Sequence, residues 1–275
     1  MRKTVITLAL TLLLLTACSW NRSGEPVDVG PEAFYRANLA RTGVFLTAPI
    51  QNPQTTWAFQ AEAWVDTAPA VAENVAYFGS YDGNIYAVDA KTGAEIWRFA
   101  TNNPVLSSPA VSGEIVYVGG LDAALYALNR NNGENIWRFA TQGGVLASPA
   151  VANGLAYVGS EGGIMYAVNI NNGQEAWHIE AGDPILFPAA VADGLMLFGD
   201  VTGKVTAVQA INGEQVWQMQ IGDGYPTSGP AVKNGVLYIL LSNEAQISTL
   251  YAIDLATQSV NWSLPLTTES YAAPA

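Results

Sequence analysis

Short apolar runs, broken by glycine, asparagine and aspartate, fill most of the chain, and none shows the three-and-four spacing of an amphipathic helix. Between residues 107 and 139 the runs are Ser108 to Val111, Ile115 to Val118, Leu125 to Leu128 and Asn135 to Phe139. Gly113, Gly119-Gly120 and Asn131-Asn132-Gly133 separate them. The pattern predicts four strands joined by tight turns. A run such as Ile115-Val116-Tyr117-Val118 is apolar at every position, so both faces of its sheet must be covered by neighbouring sheets. The repeated Gly and Asn-Gly breaks exclude a helical solenoid of similar period.

The four-strand unit recurs. Tryptophans stand at 57, 97, 137, 177 and 217, each 40 residues after the last, and the sequence around them repeats with them. The sharpest segment runs from Ala87 through Asp89 and Gly93 to Trp97 and returns as Ala127, Gly133, Trp137; Ala167, Gly173, Trp177; and Ala207, Gly213, Trp217. It returns more loosely from Ala252 to Trp262. Five complete units are expected, at about 67–106, 107–146, 147–186, 187–226 and 227–267. Asp89, Asn129 and Asn169 can accept backbone N–H bonds two residues on, and the glycine that follows supplies the left-handed backbone that the hairpin needs. Gln209 and Gln258-Ser259 depart from this pattern, which predicts two looser hairpins.

Ala-x-Asp-x-x-Thr-Gly-x-x-x-Trp at 87–97 resembles the tryptophan-docking motif of pyrroloquinoline quinone (PQQ) type β-propellers. The resemblance implies an all-β propeller of four-stranded blades in which each tryptophan packs on the next blade and the alanine makes room for it. Rings of this family have six to eight blades. This chain supplies five complete blades plus one incomplete blade: Trp57-Ala-Phe59 reads as a last strand, and Tyr271 to Ala275 as a first strand. The missing middle strands leave two readings, a C-terminally truncated chain, or an open arc or small ring with a two-stranded closing blade. Truncation is favoured, because an open arc exposes apolar faces and strand edges.

Composition narrows the function. Half of the 275 residues are hydrophobic, 12% are charged, and the net charge is −12, so a phosphate-binding surface for nucleic acid is excluded. One cysteine and one histidine cannot build a zinc or haem site. Arg2 and Lys3, the apolar run Val5 to Leu15, and Leu15-Thr16-Ala17-Cys18 read as an export signal ending in a lipobox. Residues 1–17 are then a cleaved leader, Cys18 is the lipidated residue, 18–30 is a tether, and 31–275 is the propeller domain. The membrane is a partner through that anchor, in the outer membrane facing the periplasm if the host is Gram-negative.

Within the PQQ-type family three functions compete. The quinoprotein dehydrogenases are about twice as long and use an adjacent cysteine pair, a calcium site and an aspartate base. Here the only cysteine is Cys18. BamB-like lipoproteins of outer-membrane protein assembly agree with the lipobox and the acidic propeller, and imply protein partners in the cell envelope. An extracytoplasmic sensor or ligand-binding propeller is the third. No catalytic, cofactor or metal residue is assigned. His178 falls at a variable, exposed strand position; Asp82-Gly83 and Glu161-Gly162-Gly163 read as turns; and the fifth unit, five residues longer overall and out of register between Leu241 and Leu250, reads as drift of a terminal repeat or as an enlarged contact loop.

Overall fold

The structure is a computed structural model and describes residues 54–222, 224–267 and 270. The leader, Cys18, the tether, the segment Phe34 to Gly43 and the C-terminal residues 271–275 lie outside the described residues. Strands account for all the regular structure within them. Blade I contains β1 (Ala70–Ala72), β2 (Val75–Gly79), β3 (Asn84–Asp89) and β4 (Glu95–Ala100). Blade II contains β5 (Ala110–Ser112), β6 (Ile115–Gly120), β7 (Ala124–Asn129) and β8 (Asn135–Ala140). Blade III contains β9 (Ala150–Ala152), β10 (Leu155–Gly159), β11 (Ile164–Asn169) and β12 (Glu175–Glu180). Blade IV contains β13 (Ala190–Ala192), β14 (Leu195–Gly199), β15 (Lys204–Gln209) and β16 (Gln215–Gln220). Blade V contains β17 (Tyr225–Pro226), β18 (Ala231–Lys233), β19 (Val236–Ser242), β20 (Ser248–Asp254) and β21 (Ser259–Pro265). Each blade is an antiparallel meander, and in blade V both β17 and β18 pair with β19.

A three-residue rung crosses every blade. Tyr77, Ala87 and Trp97 lie side by side on β2, β3 and β4, and the methyl of Ala87 is small enough for the rings of Tyr77 and Trp97 to meet over it at 5.8 Å. Tyr117-Ala127-Trp137 and Tyr157-Ala167-Trp177 repeat the rung at 5.8 Å each. Directly after Ala87, Ala127 and Ala207 the register slips by one residue, leaving Ile96, Ile136 and Val216 as bulged residues with their side chains outward. The core lies between blades: Trp97 of blade I packs with Val116, Val118 and Tyr126 of blade II, and corresponding clusters join II to III, III to IV and IV to V. Fully apolar strands are therefore buried on both faces, because each sheet is sandwiched by its neighbours.

The hairpins between third and fourth strands close on their polar residues. Asp89 Oδ1 accepts the Lys91 and Thr92 amides at 2.9 and 2.7 Å, and the Thr92 amide is the main cause holding this carboxyl below the usual carboxylate range. The hairpins expected to be looser are not. Gly213 donates to the Gln209 carbonyl at 2.9 Å, as Gly133 does to Asn129 at 2.8 Å. In blade V, Asp254 takes over the capping of the turn, and Gln258 adopts the left-handed backbone itself, at φ 55°, while donating to the Asp254 carbonyl at 2.9 Å.

Two other expectations change. Residues 54–60 form no strand, since among the described residues no neighbouring strand offers them a ladder, yet Trp57 and Phe59 pack on blade I. The added residues of blade V do not form a large loop: they lengthen β19 and β20 to seven residues each, paired in register from Val236–Asp254 to Ser242–Ser248.

Candidate functional site

Four tryptophans of the repeat, Trp57, Trp97, Trp137 and Trp177, each dock on a glycine of the following blade. The indole of Trp97 lies flat against Gly133, where a β-carbon would come within 2.7 Å of the ring, and its Nε1 donates to the Arg130 carbonyl at 2.8 Å. Trp137 uses Gly173 and the Ile170 carbonyl at 2.9 Å, and Trp57 uses Gly93 and the Ala90 carbonyl at 2.9 Å. Gly133 serves two needs at once, a φ of 73° and the absence of a side chain under the ring. Trp177 packs on Gly213, but its Nε1 has no partner among the described residues, and the Ala210 carbonyl accepts the Tyr157 hydroxyl at 2.9 Å. Trp262 differs from the rest. No described blade follows it, and it is 45% exposed where Trp97, Trp137 and Trp217 are buried.

A second set of contacts knits one end of the blades. The connector entering each blade crosses between its predecessor's turn and its own: Val105 donates to the Ser80 carbonyl, and Leu121 donates to the Pro104 carbonyl. Val145 with Gly120, and Ile185 with Ser160, repeat the joint. Val105, Val145 and Ile185 are wholly buried plugs seated on Gly79, Gly119 and Gly159, where a β-carbon would lie only 2.1–2.3 Å from them. These glycines are required by close approach.

The joint between blades IV and V breaks this pattern. The connector from Trp217 to Ala231 is one residue longer than its predecessors, and Tyr225–Pro226 peels away to pair with Leu241–Ser242. Pro226 then reaches only to 3.3 Å from the β-carbon position of Gly199. Phe187 occupies the place held by Thr67, Ser107 and Ala147 in earlier blades, and Thr67 and Ser107 bond the backbone there. The result is an apolar cleft of about 370 Å³, lined by Leu186, Phe187, Val201, Tyr225, Pro226 and Thr227.

The loop end on which this cleft opens is acidic. On the connectors and on the turns between second and third strands stand Glu62, Asp66, Asp82, Asp122, Glu161, Asp183, Asp200 and Glu244, and among the described residues of those segments there is no lysine or arginine. The nearest ammonium, Lys204, is committed to Asp200 at 3.1 Å and to the Ala181 carbonyl at 2.8 Å. Burial pushes the Asp82 carboxyl up, but bonds from the Asn84 amide, Ser80, Tyr86 and the Asn84 side chain outweigh it and hold it below its ordinary range. Asp122 accepts the Tyr126 hydroxyl in the same way.

The residues singled out from the sequence thus fall in two places. The alanine, glycine and tryptophan positions meet at blade junctions, whereas Asp82 and Glu161 lie on the acidic loop end. His178 lies on β12 directly after Trp177, exposed, with Nδ1 2.7 Å from Glu175 Oε1. Among the described residues, no three of His, Cys, Asp and Glu converge as metal ligands. The cleft escaped sequence reading, although the extra residue before Ala231 and the phenylalanine at 187 were its available signals.

Comparison with known proteins places the chain among PQQ-repeat propellers. The family model described as outer membrane protein assembly factor BamB matches residues 50–106 and 81–275. No curated protein matches the chain. Among solved structures, BamB from Moraxella catarrhalis aligns at 19% identity and a TM-score of 0.66, covering 78% of this chain and 68% of that one. The quinohemoprotein alcohol dehydrogenase ADHIIG from Pseudomonas putida HK5 aligns at 18% identity and a TM-score of 0.72, covering 87% of this chain and 48% of that one. The computationally designed protein Ika8 aligns at 16% identity and a TM-score of 0.65, covering 77% and 65%. The chain therefore spans about half the length of the dehydrogenase, and at these identities the likeness is one of fold.

Proposed function

Since the chain belongs to the family described as outer membrane protein assembly factor BamB, we propose that it is a non-catalytic propeller scaffold that holds a protein partner in the cell envelope. The observation that carries this reading is the apolar cleft between blades IV and V, set in a loop end whose described charges are almost all carboxylates. An apolar pocket rimmed by charge is the anatomy of a protein-binding surface. The blades behind it are rigid, so the loops are presented without a folding cost at binding.

Residues 1–17 act as a leader, Cys18 carries the lipid, and 18–30 tethers the 31–275 propeller to the outer membrane on its periplasmic side in a Gram-negative host. Cys18→Ala releases the protein from the membrane fraction on this reading, and retention of the variant there would contradict it. A sensor or small-ligand role uses the same face, and it is separated by whether a protein co-purifies.

The dehydrogenase neighbours raise PQQ chemistry, and the residues present do not fit it. Carboxylates on the loop end are distributed over the blades, Asp82 and Asp122 are bound to Tyr86 and Tyr126, and the one cysteine of the sequence is Cys18. Saturable binding of PQQ at micromolar concentration would contradict this.

The scaffold reading is tested by crosslinking the anchored protein in its own envelope and identifying what it captures. Barrel-assembly proteins are expected from the native chain and not from Val201→Trp, which fills the cleft. Equal capture by both would remove the cleft from the account, and no capture would remove the scaffold.

A further inference from the structure

The two walls of the cleft belong to different blades. Val201 stands on the turn between β14 and β15 of blade IV, and its amide holds the connector of Leu186 and Phe187 through the Pro184 carbonyl at 3.0 Å. Tyr225, Pro226 and Thr227 are carried by blade V: the first two pair with Ser242 and Leu241, and the Thr227 amide donates to the Leu240 carbonyl at 3.2 Å. The width of the cleft is therefore set by how blades IV and V sit against each other.

That seam lacks the locks of its sisters. Blades II and III are tied by the Val145 amide on the Gly120 carbonyl at 3.0 Å, the Ser108 amide on the Ser148 hydroxyl at 3.1 Å and the Trp137 indole on the Ile170 carbonyl at 2.9 Å. Between blades III and IV, Ile185 keeps the first of these bonds, and the Tyr157 hydroxyl reaches the Ala210 carbonyl. Between IV and V each device is removed by residue type. Pro226 stands where Val145 and Ile185 stand and has no N–H for the Asp200 carbonyl. Pro188 and Gly229 stand where Ser108 and Ser148 meet, the first without an amide hydrogen and the second without a hydroxyl. Leu197 replaces Tyr157, Gln258 replaces the docking glycine, and the buried Nε1 of Trp217 has no partner among the described residues. Leu197, Val205 and Trp217 still pack on Leu237, Ile239 and Ile253, but apolar contact is non-directional and tolerates sliding.

We propose that the seam between blades IV and V is the joint at which the propeller opens, and that this opening widens the cleft to admit an apolar side chain of the partner. It rests on the scaffold reading for what enters, while the opening itself is a property of the isolated chain. Local openings are drawn from the least stable junctions of a fold, and an occupant that binds only the widened cleft shifts the seam toward its open state.

Opening is measured by the reaction of a buried thiol with iodoacetamide, read by mass spectrometry, on the full chain carrying Cys18→Ser. Ile239→Cys places the thiol in the seam between IV and V, and Val158→Cys places it at the matching position between II and III; both side chains are buried. The Ile239→Cys thiol is expected to react at least about tenfold faster, at a rate nearly flat in low urea, as an opening smaller than global unfolding requires. Ser148→Ala removes the acceptor of the Ser108 amide and should speed the Val158→Cys thiol about three- to tenfold. Pro226→Val restores the missing donor and should slow the Ile239→Cys thiol by a similar factor. Nile red, a neutral apolar dye, should raise the Ile239→Cys rate saturably, and not when Val201→Trp fills the cleft. Equal rates for the two thiols, a seam rate that climbs with urea as steeply as unfolding does, or rates unmoved by both Ser148→Ala and Pro226→Val would overturn the opening, and no response to Nile red would overturn its link to the cleft. If the thiols react alike while envelope proteins are still captured, the joint falls and the scaffold stands. If the seam opens and no envelope protein is captured, the scaffold falls and the joint stands.

Discussion

Replacing Gly133 by alanine tests the docking station at its tightest point. At φ 73° an alanine pays the left-handed strain of about 1–2 kcal/mol. Its β-carbon would sit 2.7–2.8 Å from Cε3 and Cδ2 of Trp97, so the buried indole must move, which adds about 1–3 kcal/mol of overpacking. Moving the indole also weakens its bond to the Arg130 carbonyl, a loss of about 1 kcal/mol. Together these amount to about 3–6 kcal/mol. Gly113 supplies the internal control on the same blade: its φ is 57° and a β-carbon there meets nothing within 4 Å, so Gly113→Ala costs about 1–2 kcal/mol from strain alone. The difference between the two variants, about 2–4 kcal/mol, isolates the ring contact. Urea unfolding followed by far-ultraviolet circular dichroism measures both. Equal shifts of the two midpoints would refute the station, because they would mean that only the backbone conformation matters.

Further expectations follow from the same junctions. Gly119→Ala should destabilise blade II, since its β-carbon would lie 2.1 Å from Val145 Cγ1, and adding Val145→Ala should restore about 1–2 kcal/mol by double-mutant cycle; independent, additive losses would count against the plug. Trp137→Ala should cost about 3–5 kcal/mol by thermal melting, whereas Trp262→Ala, at a half-exposed position with no described blade beyond it, should cost about 1 kcal/mol. Burial pushes the Tyr77 hydroxyl up to about 12 against the pull of Arg130, and burial does the same for Tyr117. Unfolded tyrosine ionises near pH 10, so between about 10 and 12 the native state holds more protons and stability falls as pH rises, by up to about 1.4 kcal/mol per pH unit for each residue. Tyr117→Phe should flatten that slope in urea titrations, and an unchanged slope would refute the assignment.

What could be read from the sequence was whatever repeats with the blade. The 40-residue period, the alternation of apolar runs with Asx and glycine, and the tryptophan at each unit's end all report local or nearest-neighbour constraints, which every copy must satisfy separately. The hairpin at Gln258 was misjudged because its closure depends on backbone hydrogen bonds that any residue can make once Asp254 supplies the cap. The strand expected at 54–60 failed for a different reason. A docking tryptophan needs only the next blade's glycine and carbonyl, whereas a strand needs a ladder partner, and Trp57 has the first without the second. The cleft was invisible because it arises where a copy departs from its sisters. Such departures resemble drift until the structure shows Phe187, Val201 and Tyr225 converging on one cavity.

The central claim, that the loop end of the propeller is a protein-binding face, is tested most directly by site-specific photocrosslinking in the native envelope. Benzoylphenylalanine is placed at Leu186 and Tyr81 on the loop end, and at Asn132 and Asn172 in the hairpins between third and fourth strands. The account predicts ultraviolet-dependent adducts to the same envelope protein from Leu186 and Tyr81, and none from Asn132 or Asn172. Adducts from the two hairpin positions alone, or none from any position while the protein remains folded and anchored, would contradict it.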